Sequence, residues 1–318
     1  ARATNDAAIP WLREVADSRF FLFLNYFDPH APYEPDPSID YPFGSQRGDS
    51  PTYTSFSPGV TKRDELLLPE DPAEIDRLIE RYDQEIYATD RELGRLVDEL
   101  ARLGVLDRTL IVVTSDHGES FGETVGGTAL WGHGLVPYQV QCHVPLLVRL
   151  PGKKRRGEVV EQSVSEVDLL PSLTSILGLE LPPGVPASDL LGKPRAALSG
   201  ALCERYLRHG YGRGIVGQEF MMLRVMQPEL KRKREVLLSL GPEPSLLPVH
   251  RITDVDTPLA PELLERARGI LRDLRSIESR ITARRGGLEP VLEPPGPGEI
   301  QPLGPEAEEK LRLLGYIK

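Results

Sequence analysis

A short apolar run at residues 110–113 breaks into Thr114-Ser115-Asp116-His117-Gly118-Glu119, and this junction constrains the chain more than any other stretch. Four consecutive apolar residues bounded by turn-forming ones read as a buried strand. A strand that delivers an adjacent carboxylate and imidazole at its carboxyl end is built like a site, because open α/β sheets hold ligands there. Asp offers a hard oxygen and His a neutral nitrogen to a divalent cation. By itself the pair reads equally well as a cap beside a solvated ring.

The residues before this junction set the fold class. Ile75, Leu78, Ile79, Tyr82, Ile86, Leu93, Leu96, Val97, Leu100 and Leu103 recur at spacings of three, four or seven, with Glu, Asp and Arg between them. This predicts one long helix over 74–103, packed across a sheet, with Arg77, Glu80, Arg91 and Glu99 left in solvent. Asp71-Pro72 opens it with a cap and a first-turn proline, and Gly104 stops it. Further upstream, a first helix leads into the aromatic run at 20–24, which reads as a central strand covered on both faces. Residues 28–72, rich in Pro, Ser, Asp and Tyr, form a long surface excursion of the kind that is usually functional. Strand, excursion, helix, strand is the rhythm of an α/β fold.

Downstream, residues 120–135 carry five glycines and read as a loop through which backbone could approach a ligand. A strand at 144–150 and a helix at 168–177, closed by Gly178, follow. The run Pro182-Pro183-Gly184-Val185-Pro186 marks a boundary. The expected domains are therefore 1–190, a smaller α+β subdomain at 191–285 and a Pro/Gly-rich tail at 286–318. Strands are expected at 220–225 and 235–240, and an amphipathic helix near 261–277.

Two more segments carry chemistry. One is Asn25-Tyr26-Phe27-Asp28-Pro29-His30-Ala31-Pro32-Tyr33; the other is Trp131-Gly132-His133-Gly134, followed by Val144-Pro145-Leu146. With Thr-Ser-Asp-His-Gly-Glu, and in this order, they resemble the sulfatases of the alkaline phosphatase superfamily. The ending Leu311-Arg312-Leu313-Leu314-Gly315-Tyr316-Ile317 is also similar to a frequent sulfatase terminus.

The resemblance implies an alkaline-phosphatase-like α/β sandwich, with a central mixed sheet flanked by helices, that hydrolyses sulfate esters. It implies that Asp116 and His117 hold a divalent metal, Ca2+ first among the candidates, and that His30 and His133 contact the sulfate. Mg2+, Mn2+ or Zn2+ would suit a phosphoryl-transfer branch. It further implies a formylglycine nucleophile made by a formylglycine-generating enzyme, a sulfated small molecule or glycan as substrate, and a secreted or periplasmic home. The same superfamily includes phosphonate and phosphate ester hydrolases, and a non-catalytic binding protein on the same fold is the third reading. Neither Cys142 nor Cys203 lies in a Cys/Ser-x-Pro/Ala-x-Arg motif. The chain therefore reads as the C-terminal portion of a sulfatase-like protein, its nucleophile lying outside this sequence and the isolated portion inactive. Two departures stand out: Asn25 where relatives often have His, and Gln139-Val140-Gln141 where an acidic residue is frequent.

A net charge of −10 argues against nucleic acid or an anionic membrane as partner. The clusters Lys153-Lys154-Arg155-Arg156 and Lys231-Arg232-Lys233-Arg234 read as solvated turns. No apolar run reaches the roughly 20 residues of a membrane span. Two cysteines at unrelated positions suggest no disulfide framework.

Overall fold

The computed structural model describes residues 1–44, 71–125, 128–133, 138–161, 164–182 and 190, the strands between 201 and 248, and helical residues between 265 and 273. The segment 45–70, the boundary at 183–186 and the tail from 274 onward lie outside the described residues.

Helix α1 (Arg2–Val15) and helix α2 (Pro72–Arg102) pack against each other. The start of α2 is as the sequence dictates: Asp71 accepts a hydrogen bond from the Ala73 N–H at 3.0 Å, and Pro72 occupies the first turn. Its end is fixed by Gly104 at φ 70°, whose N–H donates to Ala101. Between the helices lies an apolar core of Ile9, Leu12, Ala16, Leu96, Leu100 and Val105. Asn5, fully buried on α1, is satisfied on both sides. Its amide donates to the Glu92 carbonyl and carboxylate, and its oxygen accepts from the Tyr26 hydroxyl.

The helix is right but its face is only partly so. Leu78, Leu96 and Leu100 are buried, whereas Ile79 and Ile86 are exposed. Glu99, expected in solvent, is 8% exposed because Arg102 and Arg13 both bond its carboxylate. Those bonds, Arg102 first, hold its pKa down to about 2. Gln84 and Glu85 are buried as well, facing loop backbone and not a sheet.

Strand β1 (Ile111–Thr114) pairs antiparallel with β4 (Leu146–Arg149), with Thr114 opposite Leu146. The run at 20–24 is extended but pairs with no strand among the described residues. Phe20, Leu22 and Leu24 lean on the α1–α2 core, while Phe21 and Phe23 are 85% and 78% exposed. Alternate residues of an extended chain point opposite ways, so one face is covered here, not the two expected.

The described residues of the glycine-rich segment are not a loop: β2 (Ser120–Val125) pairs antiparallel with β3 (Thr128–Gly132), irregular between Phe121 and Thr124. Gly122 at φ 98° makes that irregularity possible, and the Trp131 ring lies where its side chain would be. After β3 come a single helical turn, α3 (Gln139–Cys142), then β4 and α4 (Leu169–Leu177) with Gly178 left-handed at its end. The remaining strands, β5 (Ala201–Leu207), β6 (Gly210–Val216), β7 (Phe220–Gln227), β8 (Arg232–Ser239) and β9 (Leu246–Pro248), form an antiparallel meander in that order. The sequence pointed only to β7 and β8.

Cys142 and Cys203 form a disulfide, contrary to the expectation of two unrelated thiols. It ties α3 to β5 across 61 residues, a pairing made in space and invisible in spacing. Among the described residues no helix is long and apolar enough to cross a membrane.

Candidate functional site

Four segments build the site. The first is the loop after residue 27, with cis peptides at Asp28–Pro29 and Ala31–Pro32. It is pinned by its own burial: Ala31 and Tyr33 are 1% and 4% exposed, packed with Leu78 against Tyr82, Phe121 and Trp131. Arg81 donates to the Tyr33 carbonyl, and the Glu34 N–H donates to Glu85 at 2.6 Å. His30 is held between these anchors.

The second is the turn after β1. Gly118 is required there, because a Cβ would stand 2.1 Å from the Val140 carbonyl oxygen. Its N–H donates to Gln141 at 2.8 Å. The third is the end of β3, carrying His133, and the fourth is α3. Gln141 is buried and donates to Ser120 Oγ at 2.9 Å and to the Gly132 carbonyl at 3.2 Å, clasping the second and third segments together. An amide can make these two donations where a carboxylate could only accept.

Loops from three segments bring His30, His117 and His133 together. The His117 and His133 rings stack with centroids 3.8 Å apart, and the His30 ring stands edge-on at 5.2 Å from His133 and 6.5 Å from His117. The Phe27 ring is tilted against His30, with centroids 4.9 Å apart. Asp116 is exposed beside the cluster, its Oδ1 3.8 Å from His117 Nε2.

The protonation pattern follows from the partners. His30 Nδ1 meets the Ala31 carbonyl at 2.7 Å, and His117 Nδ1 meets the Gly118 carbonyl at 2.9 Å. His133 Nδ1 lies 3.3 Å from both oxygens of Glu119. Carbonyls and carboxylates only accept, so each Nδ1 carries the hydrogen and Nε2 is the lone-pair nitrogen of each neutral ring. Burial, ahead of the neighbouring imidazoles, pushes His30 below the ordinary histidine range against the pull of its carbonyl partner.

Asp116 and His117 fit a cation as part of a set. A hard oxygen and an Nε2 lone pair face one another, the latter oriented by a backbone acceptor as metal-bound histidines usually are. Among the described residues no group of three or more His, Cys, Asp or Glu is arranged to hold a metal by itself. Glu119 and Tyr33 were not singled out in the sequence, although both lie inside the motifs quoted. Their spacing carries no signal, since the bond between them spans 86 residues.

Comparison with known proteins bears on family and fold. The sulfatase family model matches residues 2–179, more than half of the chain. Arylsulfatase K of Mus musculus is 31% identical over 210 residues, covering 58% of this chain and 36% of its own length. An ulvan-active sulfatase of Formosa agariphila is 26% identical over 181 residues, covering 55% of this chain and 31% of its own. The chain thus spans about a third of the length of these curated relatives. A phosphonate monoester hydrolase from Silicibacter pomeroyi superposes with a TM-score of 0.60 at 21% identity, covering 91% of this chain and 60% of that one. The fold is α/β of the alkaline-phosphatase-like type. The chain belongs to the sulfatase family.

Proposed function

We propose that the whole protein to which this chain belongs hydrolyses sulfate esters, and that His30, Asp116, His117 and His133 are this chain's share of the active site. The observation that carries the reading is the convergence of three histidines from three segments, each with Nδ1 engaged by an acceptor.

His30 and His133 bind the sulfate group. Nε2 of each ring faces the sulfate group, and a proton delivered there would be donated to an equatorial oxygen or to the leaving oxygen, where negative charge builds in the transition state. Asp116 and His117 supply an oxygen and a nitrogen to a divalent cation, Ca2+ being the ion we assign. When bound, that cation polarises the sulfate and offsets its charge. The nucleophile is a formylglycine outside this sequence, made by a formylglycine-generating enzyme. Domain limits of 1–190, 191–285 and 286–318 belong to the same proposal.

A sulfated glycan is the proposed substrate class, supported by the likeness to the ulvan-active sulfatase. Export to an oxidising compartment, secreted or periplasmic, is supported by the Cys142–Cys203 disulfide, because such bonds are rare where thiols are kept reduced.

The test is release of sulfate from an aryl sulfate by the whole protein, produced with a formylglycine-generating enzyme, beside matched aryl phosphate and phosphonate. Preference for sulfate supports the reading. Preference for phosphonate would transfer the site to phosphoryl chemistry.

A further inference from the structure

We propose that Glu119 is a positioning residue: it sets His133 with Nε2 toward the ligand and, through Tyr33, locks the His133 and His30 segments into one unit. The proposal rests on the sulfatase reading only for what His133 is set to bind.

Glu119 is a buried carboxylate, its side chain 5% exposed. Such a group is costly unless donors satisfy it. Here two do so. His133 Nδ1 lies 3.3 Å from each carboxylate oxygen, and the Tyr33 hydroxyl donates to Oε2 at 3.0 Å. Tyr33 is in turn fixed edge-on against Tyr82 and tilted against Phe121, and it lies three residues from His30. One carboxylate therefore spans the turn after β1, the end of β3 and the His30 loop.

The three histidines differ in one respect. His30 and His117 take their Nδ1 acceptors from backbone carbonyls, which no substitution removes. His133 takes its acceptor from a side chain. Its orientation and tautomer are thus set by Glu119, as a carboxylate commonly sets a working imidazole.

Imidazole-nitrogen NMR on the 318-residue chain, at a pH where the histidines are neutral, reads this directly. In the native chain His133 should be the Nδ1–H tautomer. In Glu119→Gln it should remain so, because the amide oxygen still accepts. In Glu119→Ala it should revert to the Nε2–H form that free histidine favours, while His30 and His117 keep Nδ1–H and report an intact fold. A native His133 in the Nε2–H form, or a tautomer unmoved in Glu119→Ala, overturns the proposal. Where Glu119→Ala does not fold, the native chain and Glu119→Gln decide.

A second arm separates this from the sulfatase reading: inorganic sulfate titrated near neutral pH and followed at the His133 ring. Glu119→Ala should weaken that response about tenfold, and Glu119→Gln should restore most of it. A native ring indifferent to sulfate, with its tautomer still governed by residue 119, would remove sulfate from the site and leave the positioning role standing.

Discussion

Glu85 should make this fold less stable as pH rises, and Glu85→Gln should abolish that loss. The carboxyl is 5% exposed on α2, takes one hydrogen bond from the Glu34 N–H, and its Oε2 has no partner among the described residues. Burial, reinforced by Asp28, raises its pKa from 4.5 to about 8. Between those values the folded state keeps a proton that the unfolded chain has released. Stability is therefore fully present below about pH 4.5 and drains away as pH climbs toward 8. Each pH unit is worth at most about 1.4 kcal/mol, so pH 5 to 8 sets a ceiling near ~4 kcal/mol, and relaxation around the site leaves an expected ~1–3 kcal/mol. Gln is neutral throughout but adds an unpaired N–H, at a cost of about 1 kcal/mol at every pH. Urea midpoints at pH 5, 6, 7 and 8 should show the native chain falling relative to Glu85→Gln, with the curves crossing inside the window. Histidine titrations cancel in the difference. Parallel curves would refute the argument and mean that Glu85 is ionised and solvated in the fold.

Other consequences follow from the same geometry. Leu12→Ala, at a residue 1% exposed between α1 and α2, should lower unfolding free energy by roughly 2–5 kcal/mol in urea; a loss under ~1 kcal/mol would mean the helices are not packed there. Cys142→Ser with Cys203→Ser opens a 61-residue loop and should lower stability by about 4 kcal/mol by chain entropy; unchanged melting would show that the bond does not form. Gly118→Ala drives a methyl onto the Val140 carbonyl and should cost roughly 1–3 kcal/mol, moving the His117 ring resonances; an unperturbed spectrum would place that turn elsewhere.

Local chemistry made part of this fold legible. Helix α2 could be read to within two residues because Asp71, Pro72 and Gly104 act on their own neighbours. The end of β1 could be read because a strand must turn where Thr-Ser-Asp-His-Gly begins. What failed depends on distant partners. Glu99 looked like a surface charge until Arg13, 86 residues away, folded onto it. The run at 20–24 looked buried on both sides because apolarity does not count faces, and Phe21 and Phe23 look outward. The glycines at 120–135 suggested a loop because glycine is rare in strands, yet Gly122 serves a bulge under Trp131. His30, Asp116, His117 and His133 were legible as types; Glu119, Tyr33 and Gln141, which hold them, act only across the folded chain.

The central claim is that these histidines and Asp116 serve sulfate ester cleavage, and one kinetic comparison tests it most directly. In the whole protein carrying formylglycine, kcat/KM for an aryl sulfate should fall by roughly 10²–10⁴-fold in His30→Ala and in His133→Ala. Asp116→Asn and His117→Ala should lose activity in a way that added Ca2+ partly restores. Aryl sulfate turnover that survives the His30 and His133 changes within about threefold would contradict the account.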